Sequence, residues 1–297
     1  MKNTFLELNS KEPNLDFCFV GIDCCTADYL FGVQDAADAV RKLSYRYANA
    51  DKSTFPLKVY NPDEGYILKN IVACDIGNVK ANLKELEEKI DVIHFDNGCV
   101  PIFVGGDHGV TYPILKGISK KSDNIIVVQF DAHSDYIAEY DEYPHGSVMN
   151  EISKLESVEK IIHFGLRGNL NSQPAIQKSI QDGNLVVSYN DIKAKFLEVL
   201  DTVKNKKIYI SFDIDFLNPS VAPATNCPEP GGPSYEETLE YLKSIVCFSK
   251  DIVGIDFVEY NPKCEGWMVT GIVVTNLIME CMHYIKSKDL TNGREEL

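Results

Sequence analysis

The sequence predicts a three-layer α/β/α fold built on a mostly parallel sheet of eight strands. Three observations lead there: short runs rich in Val, Ile and Phe recur, they are apolar throughout without alternating, and segments of helical period separate them. A strand that is apolar on both faces must be covered on both, and helices between consecutive strands supply the cover. With 297 residues, 44% of them hydrophobic, and no Gly/Ser-rich linker, residues 1–297 read as one domain.

The strands are expected, in order, at Leu15 (LDFCFVGI), Asn70 (NIVACDI), Val100 (VPIFVGG), Asn124 (NIIVVQFD), Glu159 (EKIIHFGLR), Asn184 (NLVVSY), Lys206 (KKIYISFDID) and Asp251 (DIVGIDFVEY). Helices are expected over residues 36–47, 78–93, 234–246 and 270–285, where apolar side chains return with a period near 3.6. The polar interval 49–66 reads as a surface excursion between packed segments.

Composition narrows the function. A net charge of -15 and a pI near 4.8 oppose phosphate binding, so no nucleic-acid partner is expected, while a cationic small molecule suits the field. The amino-terminal residues have no apolar signal-like core, and nowhere do about 18 apolar residues run unbroken, so no membrane association and a cytoplasmic location are expected. Nine cysteines without a CxxC pair, several inside apolar runs (Cys18, Cys74, Cys247), read as buried reduced thiols.

In sheets of this kind ligands bind beyond the carboxyl ends of the strands. Four such exits carry acidic residues, histidine or both: GGDHG at 105–109, DAHSD at 131–135, DID at 213–215 and VEYNP at 258–262. In extended backbone alternate side chains share a face, so Asp131, His133 and Asp135 are expected to point one way, and Asp213 and Asp215 likewise. Four gathered carboxylates repel one another unless cations compensate. Two divalent metals balance the four Asp charges, and His108 with His133 add two neutral imidazoles. This oxygen-rich, thiolate-free set suits Mn²⁺ better than a structural zinc, with Co²⁺, Ni²⁺ and Zn²⁺ left open. Two metals that share a water lower its pKa, which points to metal-assisted hydrolysis.

Taken alone, His145 (in EYPHGSV) reads as a loop histidine, His163 as a satisfied core histidine, and His94 and His283 as helical residues without motif context. Glu259 ends an apolar strand and so needs a partner or a task.

GGDHG, DAHSD with a following HG, SFDIDFLNPSVAPATNCPEPGG and VEYNP resemble the ordered signature of the arginase and agmatinase (ureohydrolase) family, over about residues 100–262. The resemblance implies a binuclear manganese hydrolase of guanidino compounds, a trimer or hexamer, in which a hydroxide bridging two Mn²⁺ attacks the guanidinium carbon. By position, His108, Asp131, Asp135 and Asp213 would hold one metal and Asp131, His133, Asp213 and Asp215 the other. His145 would give a proton to the departing amine, and Glu259 would grip the guanidinium.

The segment 131–150 contains Glu139, Asp141 and Glu142 but no Lys or Arg, so nothing in it welcomes a substrate carboxylate. Its shortness, GLRG at Gly165 and PEPGG at Pro228 are similar to the agmatinase pattern, which implies agmatine as substrate, giving putrescine and urea. Arginine, guanidinobutyrate, guanidinopropionate and formiminoglutamate are the alternatives within the family, and a non-catalytic metal-binding relative is another. Arg167 is the basic residue nearest these motifs. The chain departs from the family pattern at Gly109, Asn218, Asn226 and Cys227, and keeps only Gly32 and Arg41 of its amino-terminal loop motif. Cys227, at a position near the substrate in relatives, is expected to bear on specificity.

Overall fold

The computed structural model describes residues 4–8, 10, 14–26, 30–48, 59–63, 65–68, 71–93, 95, 98–138 and 145–295. Its strands are β1 (Phe17–Asp23), β2 (Val59–Asn61), β3 (Gly65–Ile67), β4 (Ala73–Lys80), β5 (Val100–Val104), β6 (Ile125–Phe130), β7 (Val158–Leu166), β8 (Leu185–Ser188), β9 (Lys207–Asp213) and β10 (Asp251–Val258). The helices are α1 (Ala36–Ala48), α2 (Leu83–Asp91), α3 (Thr111–Ile118), α4 (Val148–Ile152), α5 (Gln173–Gln181), α6 (Ile192–Val203), α7 (Tyr235–Phe248) and α8 (Trp267–Glu295).

Eight strands form one sheet in the order β4-β1-β5-β10-β9-β6-β7-β8, with every pairing parallel. Two cores flank it because successive residues of a strand face opposite sides. From β6, Ile126, Val128 and Phe130 join one core with α1, α6, α7 and α8, while Ile125 and Val127 join the other with α2, α3 and α4. Burying one such side chain is worth about 1.5–3 kcal/mol.

The chain visits β5, β6, β9 and β10 in that order, yet the sheet sets β10 and β9 between β5 and β6. The four exits singled out in the sequence therefore open side by side. Below them Phe130, Phe164, Phe212 and Phe216 pack ring against ring, with Phe216 centroids 5.1, 5.9 and 5.6 Å from those of Phe130, Phe164 and Phe212. The site has an apolar floor.

Several expectations need correction. Residues 78–80 continue β4 and helix α2 starts at Leu83, capped by Asn82, whose side chain accepts from the Glu85 N–H. As the edge strand, β4 is half-exposed and lacks the apolar run that marks the inner strands. In the interval 49–66, β2 and β3 form a small antiparallel pair, and residues 49–58 lie outside the described residues. The helix expected over 234–246 is α7, with Ser234 and Glu237 closing a capping box; that over 270–285 is the longer α8. Residues 267–288 of α8 are long and apolar enough to cross a membrane, but 67% of their most apolar window is buried inside the protein, as in a core helix. All nine cysteines are free thiols, although Cys247 is exposed and Cys74 only half-buried.

Candidate metal centre

The GGDHG turn delivers His108. Gly105 has φ +105°, and a Cβ there would lie 2.8 Å from the Ile22 carbonyl oxygen, so only glycine lets the chain turn so close to β1. Asp107 then accepts from the Gly109 N–H at 3.0 Å and from the Thr26 N–H, fixing a 3-10 turn that opens on His108.

Seen from its surroundings, His108 turns a free ring lone pair towards a ring of carboxylates. Ser211 Oγ donates to Asp256 Oδ1 at 2.8 Å, so at 2.9 Å from His108 Nε2 it accepts the ring proton. Nδ1 is then left unprotonated. It is buried and makes no hydrogen bond, yet Asp131 Oδ2 lies at 3.0 Å, Asp135 Oδ2 at 2.9 Å and Asp213 Oδ2 at 3.4 Å. A lone pair ringed by carboxylate oxygens is repulsive without a cation between them, and a divalent metal fits that chemistry.

The second half of the centre is built on His133. Its Nδ1 lies 2.8 Å from Asp215 Oδ2 and 3.6 Å from Asp131 Oδ1. Two groups thus have ligand atoms within 4.8 Å of one another: His108, Asp131 and Asp213, and Asp131, His133 and Asp215. Asp131 belongs to both. Asp135 enters through its contact with His108.

Convergence does not come from an extended strand end, as expected. β6 stops at Phe130, and the ligands leave on a loop in which Asp135 has φ +46°. Past Asp213 the chain likewise winds into a 3-10 turn over Ile214–Phe216. Side chains hold these turns: Asp131 Oδ1 accepts from the His133 N–H at 2.6 Å, Asp213 Oδ1 from the Asp215 N–H at 2.8 Å, and Asp215 Oδ1 from the Ala132 N–H at 3.0 Å. Each carboxylate thus orders its neighbour.

Burial, with the charges of Asp215 and Asp135, pushes Asp131 up to about 7, and burial drives Asp213 well above its ordinary range. The imidazoles are raised as well, for a different reason. Burial opposes it, but their carboxylate neighbours raise His108 well above its usual value and His133 to about 11. Surroundings that hold a proton on both rings this strongly favour a divalent cation in its place.

A cavity of about 140 Å³ opens beside the centre, lined by Asp135, His145, Leu170, Cys227 and Glu259 among others. His145, which opens a short turn over His145–Ser147, therefore faces the site. Glu259 has φ +63°; its Oε1 accepts from the His108 N–H at 2.9 Å, while its buried Oε2 makes no hydrogen bond. Strained backbone at two acidic residues of one site is the signature of a functional constraint. Burial, then the Asp107 charge, raises Glu259 well above its range, and burial and the Glu259 charge lift the Cys227 thiol to about 12. Of the acidic loop, Glu139, Asp141 and Glu142 lie outside the described residues.

Arg167 serves the backbone. Its Nη2 donates to the carbonyls of Asp215 (2.6 Å), Leu217 (3.2 Å) and Glu229 (3.2 Å), Nη1 to that of Phe216 (3.0 Å) and Nε to that of Pro230 (3.2 Å). Arg41, kept from the amino-terminal motif, likewise pairs with Asp75, through Nε at 2.8 Å and Nη2 at 2.9 Å.

Sequence reasoning passed over several supporting residues. Gln129, Ser211 and Asp256 each interrupt an apolar strand, a signal present in VVQF, YISF and GIDFV. Glu229, with Oε1 3.7 Å from His133 Nε2, and Asn171, which accepts from the Ser134 N–H at 2.9 Å, carried no such signal.

A parallel α/β sheet with a carboxylate and histidine centre at its carboxyl edge defines a metal-dependent hydrolase class. The arginase-family model matches residues 15–284, and the chain belongs to the arginase family, hydrolases of amidino C–N bonds. It is 30% identical to the human mitochondrial guanidino acid hydrolase over 242 residues, 76% of this chain and 68% of that protein. It is 30% identical to the chicken mitochondrial agmatinase over 298 residues, 93% of this chain and 83% of that protein. The agmatine ureohydrolase of Thermoplasma volcanium shares the fold, with a TM-score of 0.80 at 21% identity, over 98% of this chain and 97% of that one.

Proposed function

We propose that the chain holds two Mn²⁺ in this centre and hydrolyses agmatine to putrescine and urea. The observation that carries the substrate is the engagement of Arg167 with five backbone carbonyls. Among the described residues no Lys or Arg lines the cavity, so a substrate carboxylate would find no lysine or arginine to pair with there. An amine end suits the acidic chain.

His108, Asp131, Asp135 and Asp213 would hold one Mn²⁺, and Asp131, His133, Asp213 and Asp215 the other. Bound there, the ions would supply Lewis acidity that acidifies a water. Glu259 Oε2, which makes no hydrogen bond, accepts from the planar guanidinium and orients its carbon towards the centre. His145, on the cavity wall, passes a proton from a ring nitrogen to the departing amine nitrogen. Cys227 contributes a thiol to the cavity wall. We also propose a cytoplasmic homo-oligomer, a trimer or hexamer, acting without nucleic acid or membrane.

The second reading, a guanidino acid as substrate, is favoured by likeness to the human relative. Urea release from the Mn²⁺-loaded protein, with agmatine, arginine and 4-guanidinobutyrate at equal concentration, separates them. Urea from agmatine alone supports the first; faster release from 4-guanidinobutyrate replaces it with the second.

A further inference from the structure

A polar row crosses the sheet one layer beneath the centre. His163 of β7 pairs in register with Gln129 of β6, Gln129 with Ser211 of β9, and Ser211 with Asp256 of β10. All four are buried. Buried polar residues in apolar strands cost stability unless every donor and acceptor is matched, so such a row needs a purpose.

The Ser211 and Asp256 half holds His108, as described above. The other half ends on Asp131. Gln129 Nε2 donates to Asp131 Oδ2 at 2.6 Å and to the His133 carbonyl at 3.2 Å, which ties the first residue of the ligand loop to the third. Behind it, His163 Nδ1 lies 2.5 Å from Gln129 Oε1 and Nε2 2.7 Å from Ser179 Oγ, which also accepts from Asn184 Nδ2 at 3.1 Å.

Electrostatics assigns the protons. An amide carbonyl turned towards Asp131 would set two acceptors against each other, so the NH₂ group faces the carboxylate and Oε1 faces the imidazole. His163 Nδ1 therefore carries its proton, and Nε2 accepts from the Ser179 hydroxyl. A ring without that proton would leave the amide free to turn its carbonyl on the carboxylate.

We propose that His163 is a positioning residue for the metal centre: its Nδ1–H fixes the Gln129 amide, which holds the Asp131 carboxylate in the orientation that serves both cation positions. The inference rests on the metal reading given above. It gives a fully buried histidine outside the centre a role at a distance of one intervening side chain.

The test compares two variants of nearly equal shape. Asparagine puts Nδ2 where the ring has Nδ1, so His163→Asn keeps the donor, whereas His163→Leu removes it. Mn²⁺ stoichiometry and affinity are measured by titration of metal-free protein, and thermal unfolding of the metal-free form is followed in parallel. His163→Leu is expected to bind Mn²⁺ about 10- to 100-fold more weakly, the range typical of lost support behind a metal ligand. His163→Asn is expected to stay within about threefold of the original chain, by the same measure. In a Gln129→Leu background the difference between the two is expected to vanish, because the intermediary is gone.

Equal affinity in His163→Leu and the original chain overturns the proposal, as do equal losses in both variants or effects that persist without Gln129. If His163→Leu does not fold, His163→Phe, which keeps the ring shape without the donor, carries the same expectation; failure of both to fold assigns the histidine to stability and overturns the proposal too. Absence of Mn²⁺ binding in the original chain instead overturns the metal reading itself.

Discussion

Arg167 donates through Nη2 to the carbonyl oxygen of Asp215 at 2.6 Å, so the guanidinium beside the centre is fixed to the backbone that carries a metal-ligand candidate. Of the other carbonyls it holds, those of Phe216 and Leu217 follow Asp215 directly, and those of Glu229 and Pro230 come from a later stretch of the chain. Lysine has three donors at one point and cannot span that set. Arg167→Lys is expected to lose about 1–2 kcal/mol in chemical denaturation, from several unmade, partly buried hydrogen bonds. Its preference between agmatine and 4-guanidinobutyrate should stay as it was; a shift towards the acid would show that Arg167 reads the substrate.

Asp131 stands in both ligand groups, whereas His133 stands in one. Metal analysis after dialysis should therefore find Asp131→Ala nearly free of Mn²⁺ and His133→Ala with about half the original content. Ligand linkage adds about 2.7 kcal/mol at a free metal concentration 100 times Kd. The melting temperature of the original chain is thus expected to rise with Mn²⁺ and fall with chelator, and that of Asp131→Ala to ignore both.

Ser211 passes the His108 proton requirement to Asp256. Removing the hydroxyl leaves Nε2 without its acceptor and lets the ring take the other tautomer, with a proton where the metal belongs. Ser211→Ala is expected to weaken Mn²⁺ binding by about 10- to 100-fold, and excess Mn²⁺ to restore urea release. No recovery at high Mn²⁺ would mean that the serine acts in some way other than through affinity.

Phe216 fills the floor against Phe130, Phe164 and Phe212, and its ring lies where a Cβ on Gly165 would sit, at 2.4 Å. Phe216→Ala should cost about 3–5 kcal/mol. Gly165→Ala, which also meets φ +111°, should cost at least about 2 kcal/mol through strain and overlap. Urea denaturation of the metal-free protein reads both, and a loss under 1 kcal/mol in either would contradict this packing.

Burial lowers the His163 pKa from 6.5 to about 4. Between those values the unfolded chain binds a proton that the folded chain refuses, so this residue's contribution to stability is complete above pH 6.5 and is lost as pH falls towards 4. At about 1.4 kcal/mol per pKa unit, the metal-free original chain should lose on the order of 3 kcal/mol more than His163→Asn across that window. Equal losses in the two would mean that His163 does not stay neutral in the fold.

Much of the fold was legible because inner parallel strands need apolar residues on both faces, and β1, β5, β6, β9 and β10 advertise that need. The edge strand β4 has no such need, so its last residues, 78–80, passed for helix. At the site, the acidic and histidine residues were legible because carboxylates at the end of a buried strand have no cheap structural explanation. Their local geometry was misread: spacing by two suggested a pleat, whereas hydrogen bonds from Asp131, Asp213 and Asp215 wind the chain into turns.

The sequence by itself determined the layers, the parallel sheet and the chemistry of the donor set, because periodicity and residue type act within a few positions of the chain. Tertiary structure alone decided which donors meet and what Arg167 is for. Contacts such as His108 with Asp213, His133 with Asp215 and Arg167 with Glu229 join residues far apart in sequence. They exist because β10 and β9 insert between β5 and β6, and strand order in a sheet is set by the packing of the whole chain.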